Sequence, residues 1–225
     1  MIEGVRKASL ELMKHLKDGF RIGLGSGSTM ATFVSVLGEY VKEKGLEVEV
    51  FPTSIQIGMV AERQGLKVLS TPQELDLAVD GADQVDRRLN LIKGGGGALL
   101  KEKVNLNASR LRFIIAGEEK FVDVLNADVP IEVHPFSRNY VLNELIRLGY
   151  TPRLRLLRKG YPYITENGNL IFDTEMGEIE NPREVEERVK LISGVMEVGI
   201  FTMRIDGLYL TGEEGYRFIE GSRAL

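Results

Sequence analysis

The chain has 225 residues, 43% of them hydrophobic, with 29 basic against 33 acidic side chains and a formal charge of -4. That is apolar material for one large domain or two modest ones, without the basic excess that a nucleic-acid backbone attracts. Cysteine is absent and histidine occurs only at His15 and His134, which excludes disulfides and thiol chemistry and argues against a histidine metal cluster. Catalysis therefore has to come from carboxylates, lysines, hydroxyls and backbone. No run reaches the roughly 18 apolar residues of a membrane span, and the charged stretch Met1 to Leu12 lacks the apolar core of a leader. The expectation is a soluble cytoplasmic protein with neither membrane nor nucleic-acid partner.

Val5, Ala8 or Leu10, Leu12, Met13 and Leu16 recur at helical spacing, and Asp18-Gly19 ends that helix. A short extended segment, Phe20 to Leu24, then runs into Gly25-Ser26-Gly27-Ser28-Thr29 ahead of a helix expected over Met30 to Lys44. Glycines let N–H groups converge on an anion, hydroxyls add donors, and the helix N-terminus adds positive partial charge. The loop is not a dinucleotide fingerprint, because the third small residue and the ribose acid are missing, and no Gly-Lys-Ser/Thr marks a nucleoside-triphosphate site. A single small phosphate ester is the ligand class it fits.

Val48 to Phe51, Lys67 to Leu69 and Leu75 to Val79 read as further strands, with a helix from Ile55 to Gln64 capped by Pro52-Thr53-Ser54 and stopped by Gly65. This strand–helix rhythm predicts a Rossmann-like, mainly parallel, doubly wound α/β sheet whose ligands bind beyond the strand C-termini. Asp80 and Asp83 fall at that edge. Lys93 and the run Gly94 to Gly97 follow. Four glycines forfeit up to about 1 kcal/mol each relative to alanine, which points to a main chain that must approach something closely. A helix starting near Ala98 places Glu102 in phase with Leu99 and Leu106 on an apolar face. Withdrawal from water strengthens a carboxylate as a base. Lys101 and Lys103 read as surface charges, and so, on local sequence, does Lys120 after the apolar strand Leu111 to Ala116.

From Pro130 onward the order changes to strand (Ile131 to His134), helix (Asn139 to Leu148), strand (Pro152 to Leu157), strand (Asn169 to Phe172), helix (Arg183 to Ile192) and strand (Met196 to Thr202). That is the order of a ferredoxin-like α+β unit. Asn167-Gly168 is expected to turn a hairpin between Tyr163 to Thr165 and Leu170 to Phe172. His134 reads as structural. Gly207 to Leu210 and Glu213 to Ile219 are expected to add a strand and a helix to the first domain. The domain expectation is therefore a catalytic α/β domain over 1–129 and 205–225, with an inserted assembly domain over 130–204.

Gly25-Ser26-Gly27-Ser28-Thr29, Pro52-Thr53-Ser54, Asp80-Gly81-Ala82-Asp83, Lys93 to Ala98 and Lys101-Glu102-Lys103 resemble, in order and spacing, the motifs of the ribose-5-phosphate isomerase A family. The likeness continues through Val129 to Val133 and the C-terminal segment. It implies a cofactor-independent and metal-independent aldose–ketose isomerase that interconverts D-ribose 5-phosphate and D-ribulose 5-phosphate through an enediolate, in the pentose phosphate pathway, as a homodimer or homotetramer. It implies Glu102 as the proton carrier, with Asp80, Asp83 and Lys93 in support. Substrate-binding positions fall on Ser26, Gly27, Ser28, Thr29, Asp80, Gly81, Ala82, Asp83, Lys93, Gly94, Gly95, Gly96 and Lys120, reversing the local reading of Lys120. Ser26 stands where relatives often have threonine and keeps the hydroxyl; the basic residue that many relatives carry near the N-terminus is not assigned to either Arg6 or Lys7, and both are left out of the site. Two other readings, a sugar-phosphate sensor and a CoA transferase, share the architecture. The first lacks room for a DNA-reading module before Gly25, and the second fits the paired aspartates and the Lys93–glycine run less well.

Overall fold

The computed structural model describes residues 2–213 and 215–221, so Glu214 and the end of the expected C-terminal domain segment lie outside the described residues. In chain order the elements are α1 (Ile2–Leu12), β1 (Arg21–Leu24), α2 (Gly27–Lys44), β2 (Glu49–Pro52), α3 (Ile55–Arg63), β3 (Lys67–Val68), β4 (Leu75–Asp80), β5 (Gln84–Val85), β6 (Leu91–Ile92), α4 (Leu99–Ala108) and β7 (Ser109–Gly117). There follow β8 (Val129–Val133), α5 (Arg138–Arg147), β9 (Thr151–Leu154), β10 (Leu170–Glu175), α6 (Pro182–Lys190), β11 (Val195–Val198), β12 (Ile200–Phe201), β13 (Gly207–Thr211) and β14 (Tyr216–Glu220). By packing the chain divides into two units, Met1–Ala82 with Lys101–Phe121 and Arg204–Leu225, and Asp83–Leu100 with Val122–Met203.

The first unit is built on a seven-stranded sheet in the order β14-β13-β7-β4-β1-β2-β3. Every neighbouring pair is parallel except β13 with β14. The chain builds outward from β1 to β3, then returns to β4 on the other side of β1, so the doubly wound switch point lies between β1 and β4. β4 is buried along its length except at Asp76, the continuous apolar pattern of a strand covered on both faces. Helix boundaries follow local chemistry. Val5, Ala8 and Leu12 form the buried stripe of α1; Ser54 accepts from the Ile57 N–H to cap α3; and Gly45, at φ 64°, ends α2 in the left-handed conformation.

Two elements of this unit differ from the sequence expectation. α2 starts at Gly27 rather than Met30. The expected helix over Glu213 to Ile219 is instead the antiparallel strand β14, with Leu208 opposite Ile219 and Leu210 opposite Arg217. Tyr216-Arg217-Phe218-Ile219-Glu220 lacks a helical apolar stripe, and an edge position beside β13 uses its extended preference.

The second unit holds a four-stranded antiparallel sheet in the order β11-β8-β10-β9. With α5 and α6 this gives the ferredoxin-like β-α-β-β-α-β succession. A small sheet, β12-β6-β5, joins it. The segments 83–100 and 122–129 therefore pack here and not with the first unit as the sequence suggested: β6 pairs with β12, and Ile92, Leu125 and Val129 belong to this unit's core. The Asn167-Gly168 turn forms, with Thr165 N–H donating to Asn169 O and Gly168 N–H to Thr165 O. Its leading arm, however, makes no ladder with β10, which is already paired on both edges by β8 and β9. His134 accepts from the Phe136 N–H at 3.3 Å and caps a short turn, a structural role.

Tyr209 on β13 is 2% exposed, with the Phe218, Tyr216 and Phe113 rings 4.8, 5.3 and 6.2 Å away. Burial, reinforced by the charge of Glu11, pushes its phenol up from 10.0 to about 12. The native state then holds a proton that the unfolded chain releases, so this contribution to stability is intact below pH 10 and is lost as pH rises through about 12. Urea unfolding across that range should show a steeper alkaline decline for the parent than for Tyr209→Phe; identical slopes would contradict the assignment.

Candidate active site

In the first unit the candidate residues gather where β1 and β4 end. The Gly25 N–H donates to Val79 O at 2.9 Å, and a Cβ on Gly25 would lie 1.8 Å from Asp80 Oδ1. Only glycine permits that approach. Asp80 is 2% exposed and accepts from the Gly81 N–H at 2.7 Å. Gly27, at φ 88°, turns the chain into α2. Ser26 has the backbone geometry of an N-cap yet makes no capping hydrogen bond; its hydroxyl instead donates to Glu102 Oε1 at 2.6 Å. The first turn of an 18-residue helix thus keeps its positive end without a side-chain cap. Because α2 begins early, exposed Ser28 and half-buried Thr29 belong to that first turn.

Glu102 lies on α4 and is 3% exposed. One helical step on, at i+3, Asn105 shares its face and donates to Phe51 O at 2.7 Å. A Cβ on Gly23 would sit 3.1 Å from the Asn105 Cβ, so a bare β1 backbone lets α4 lie close against the sheet. Asn105 and Ser26 together fix the height and direction of the Glu102 carboxylate. Lys103, expected at the surface, is buried and Lys101 half-buried: α4 is covered over more of its circumference than an amphipathic surface helix. Lys120, in a short turn after β7, donates to Ala82 O at 2.9 Å and so braces the loop that carries Asp80, Gly81 and Ala82.

In the second unit β5 and β6 form a hairpin too short to show a periodicity, and the sequence did not reveal it. Buried Asp86 organises its turn by accepting from the N–H groups of Arg88 and Asn90 and from the Asn90 side chain, each at 2.8 Å. Leaving β6, the Lys93 N–H donates to Gly199 O at 2.9 Å. The Lys93 side chain is buried, with Nζ 5.7 Å from the Phe201 ring centroid, a cation–π distance. The glycines then fold back on Asp83: the Gly95 N–H donates to Asp83 Oδ2 at 2.7 Å, and a Cβ on Gly95 would stand 2.8 Å from Asp83 Oδ1. Positive φ at Gly94 and Gly97 closes the turn, sealed by Gly97 N–H to Gly94 O at 2.9 Å. Gly96 is exposed.

Sequence reasoning missed two side chains at this run. Arg155 donates to Gly94 O and Gly95 O at 2.9 and 3.1 Å, and Tyr163 donates to Gly96 O at 3.0 Å. Neither sits in a motif, and Arg155 in particular is one of several arginines in Arg153-Leu154-Arg155, with nothing local to distinguish it.

Among the described residues no group of three or more His, Asp or Glu side chains is placed to hold a metal. A cavity of about 590 Å³ lined by Arg21, Glu49, Leu66 and Lys67 opens at the other, N-terminal ends of β1, β2 and β3; the chemistry-bearing residues of this unit are at the C-terminal ends.

The family model for ribose 5-phosphate isomerase A (phosphoriboisomerase A) matches residues 49–215. A relative from Archaeoglobus fulgidus, ribose-5-phosphate isomerase A, is 44% identical over 218 residues, 95% of this chain and 96% of the relative. Another of that name, from Methanococcus aeolicus, is 44% identical over 198 residues, 85% of this chain and 84% of its own. Among solved structures, ribose 5-phosphate isomerase A of Methanocaldococcus jannaschii has a TM-score of 0.90 at 35% identity, covering 96% of this chain and 97% of its own. A D-ribose-5-phosphate isomerase in complex with phospho-erythronic acid gives 0.91 at 37% identity, covering 97% and 98%.

Gly25→Ala should destabilise the protein by about 1–3 kcal/mol, the usual range for overpacking, because Asp80 has to move. Chemical unfolding measures this, and an unchanged midpoint would contradict the close approach.

Proposed function

The chain belongs to the ribose 5-phosphate isomerase A family, and on that premise we propose that it interconverts D-ribose 5-phosphate and D-ribulose 5-phosphate, with Glu102 as the proton carrier. The observation that carries the assignment of Glu102 is its burial, at 3% exposure, combined with a 2.6 Å hydrogen bond from Ser26. A carboxylate held in one orientation away from water is suited to reach a carbon acid.

The reaction moves two protons. Glu102 takes the C2 proton of the open-chain aldose and leaves an enediolate whose charge is shared between O1 and O2. The same carboxyl returns the proton to C1, while the O2 hydroxyl proton is lost and O1 gains one. No electron leaves the substrate, so neither metal nor organic cofactor is needed in this scheme. Lys93 and the N–H groups of the glycine run stabilise the oxyanion. Asp80 and Asp83 orient hydroxyls and assist ring opening or oxygen proton exchange. Ser26, Gly27, Ser28 and Thr29 anchor the phosphate through the uncapped first turn of α2, and Gly81, Ala82, Gly94, Gly95, Gly96 and Lys120 complete the substrate contacts. A cytoplasmic location fits this sugar-phosphate chemistry, and no helix among the described residues is long and apolar enough to cross a membrane.

Ribulose 5-phosphate formation from ribose 5-phosphate, with chelator present and no added cofactor, tests the reading. Glu102→Gln should lower kcat by at least about 100-fold, the smaller end of what a positioned general base supplies, while binding of the sugar phosphate is largely retained. Parent-like turnover by Glu102→Gln would remove that residue from the role, and no turnover by the parent would overturn the activity.

We assign assembly as a homodimer or homotetramer to the smaller domain, where Leu156, Leu157, Tyr161 and Ile164 are each more than half exposed. Sedimentation equilibrium should give two or four chains. Leu157→Glu with Ile164→Glu should shift it toward one, and a monomeric parent would refute the assignment.

A further inference from the structure

The glycine run Gly94 to Gly97 owes its shape to side chains that no motif includes. Arg155 reaches the carbonyls of Gly94 and Gly95 with the same Nη1, and Tyr163 holds the carbonyl of Gly96. Three successive carbonyls are tied to one side. Arg155 is itself fixed: Nε donates to Asp173 Oδ2 at 2.9 Å and Nη2 to Asp173 Oδ1, a two-pronged pair. Its guanidinium carbon lies 5.6 Å from the Tyr163 ring centroid, and its side chain is only 15% exposed. The backbone of both residues is held as well, by Arg155 N–H to Ile171 O at 2.8 Å and Tyr163 N–H to Arg155 O at 2.9 Å.

The peptides among the described residues are not cis, so in each unit the N–H points opposite to the carbonyl. Carbonyls drawn to one side therefore send their N–H groups to the other. The Gly95 N–H meets Asp83 and the Gly97 N–H meets Gly94 O. The Gly96 N–H finds no acceptor among the described residues, on a residue open to solvent. Its own peptide carbonyl, that of Gly95, is the one that accepts from a guanidinium. A cation on the carbonyl end polarises a peptide and makes its N–H a stronger donor.

We propose that Arg155 is a positioning residue for the isomerisation: supported by Asp173 and Tyr163, it fixes and polarises the Gly95–Gly96 peptide so that the Gly96 N–H is presented as a donor to the oxyanion of the enediolate. This rests on the isomerase reading above. Lysine cannot substitute, because one ammonium does not span two carbonyls and a carboxylate while stacking on a ring.

Arg155→Lys and Tyr163→Phe should be compared with the parent in steady-state isomerisation and in calorimetric binding of phospho-erythronic acid, whose carboxylate stands in for the enediolate, and of inorganic phosphate. Arg153→Lys, a change at an exposed ion pair with Asp128 and Glu175, is the control and should behave as the parent. Arg155→Lys should lower kcat about 10- to 100-fold, at or below the cost of losing one oxyanion donor outright, with KM and phosphate affinity changed less than about threefold. Phospho-erythronic acid affinity should fall with kcat/KM. Tyr163→Phe keeps the ring and loses only the bond to Gly96 O, so a several-fold fall in kcat is expected and decides the matter if Arg155→Lys does not fold. Free guanidinium should restore part of the activity of Arg155→Ala. Parent-like kcat in both variants, or a fall in phosphate affinity matching the fall in kcat, would overturn the inference. An inactive parent would instead overturn the isomerase reading.

Discussion

Everything in the first unit turns on how closely the backbone at Gly25 approaches the carboxyl of Asp80. A side chain at position 25 would occupy the place of an Asp80 oxygen, so the ends of β1 and β4 can converge only over a bare main chain. From that convergence the chain enters α2 with Ser26 directed at Glu102 and not at its own helix. One contact thus sets the N-terminus of a helix, the position of a buried acid and the direction of a hydroxyl. The switch point of a doubly wound sheet supplies the crevice; the absent Cβ determines what stands at its edge.

The concentration of charge has an energetic side. In the first unit Asp80, Glu102 and Lys103 are each less than a tenth exposed. An ionised group withdrawn from water carries an effective penalty of several kcal/mol before its partners offset it. Hydrogen bonds offset part of it, from the Ser26 hydroxyl to Glu102 and from the Gly81 N–H to Asp80, beside a core in which Ile22, Leu24, Phe33, Leu37 and Val79 are fully buried. Asn105 illustrates the same economy on a smaller scale. It is a polar residue in a helix interior, yet its amide is anchored on Phe51 O and leaves no unsatisfied donor there.

Much of the first unit was legible because its signals are long or chemically unusual. Apolar strands between amphipathic helices specify a parallel sheet, and Gly25 to Thr29, Asp80 to Asp83 and the Lys93–glycine run are visible without any structure. The ferredoxin-like order could be read from alternating elements after Pro130. What escaped has a common cause: its determinants are distant in sequence. β5 and β6 are two residues each and exist because β12 pairs with β6. The stretch Tyr216 to Glu220 becomes a strand because β13 offers an edge. Lys103 is buried although nothing near it in sequence forecasts cover on that side of α4. Arg155 lies about sixty residues from the glycines whose carbonyls it holds, so no local pattern connects them.

The order in which the sheet strands occur along the chain has a consequence for biosynthesis. β7 is complete by Gly117, but its partner β13 begins only at Gly207, so most of a domain's length must leave the ribosome before that edge is covered. A strand with an open edge, here Phe113 to Gly117, is a template for unwanted pairing between nascent chains. The early half of β7, Ser109-Arg110-Leu111-Arg112, precedes that edge with two arginines, and like charges on neighbouring nascent chains repel. Those arginines can thus act as gatekeepers during translation, independently of anything they do in the finished molecule.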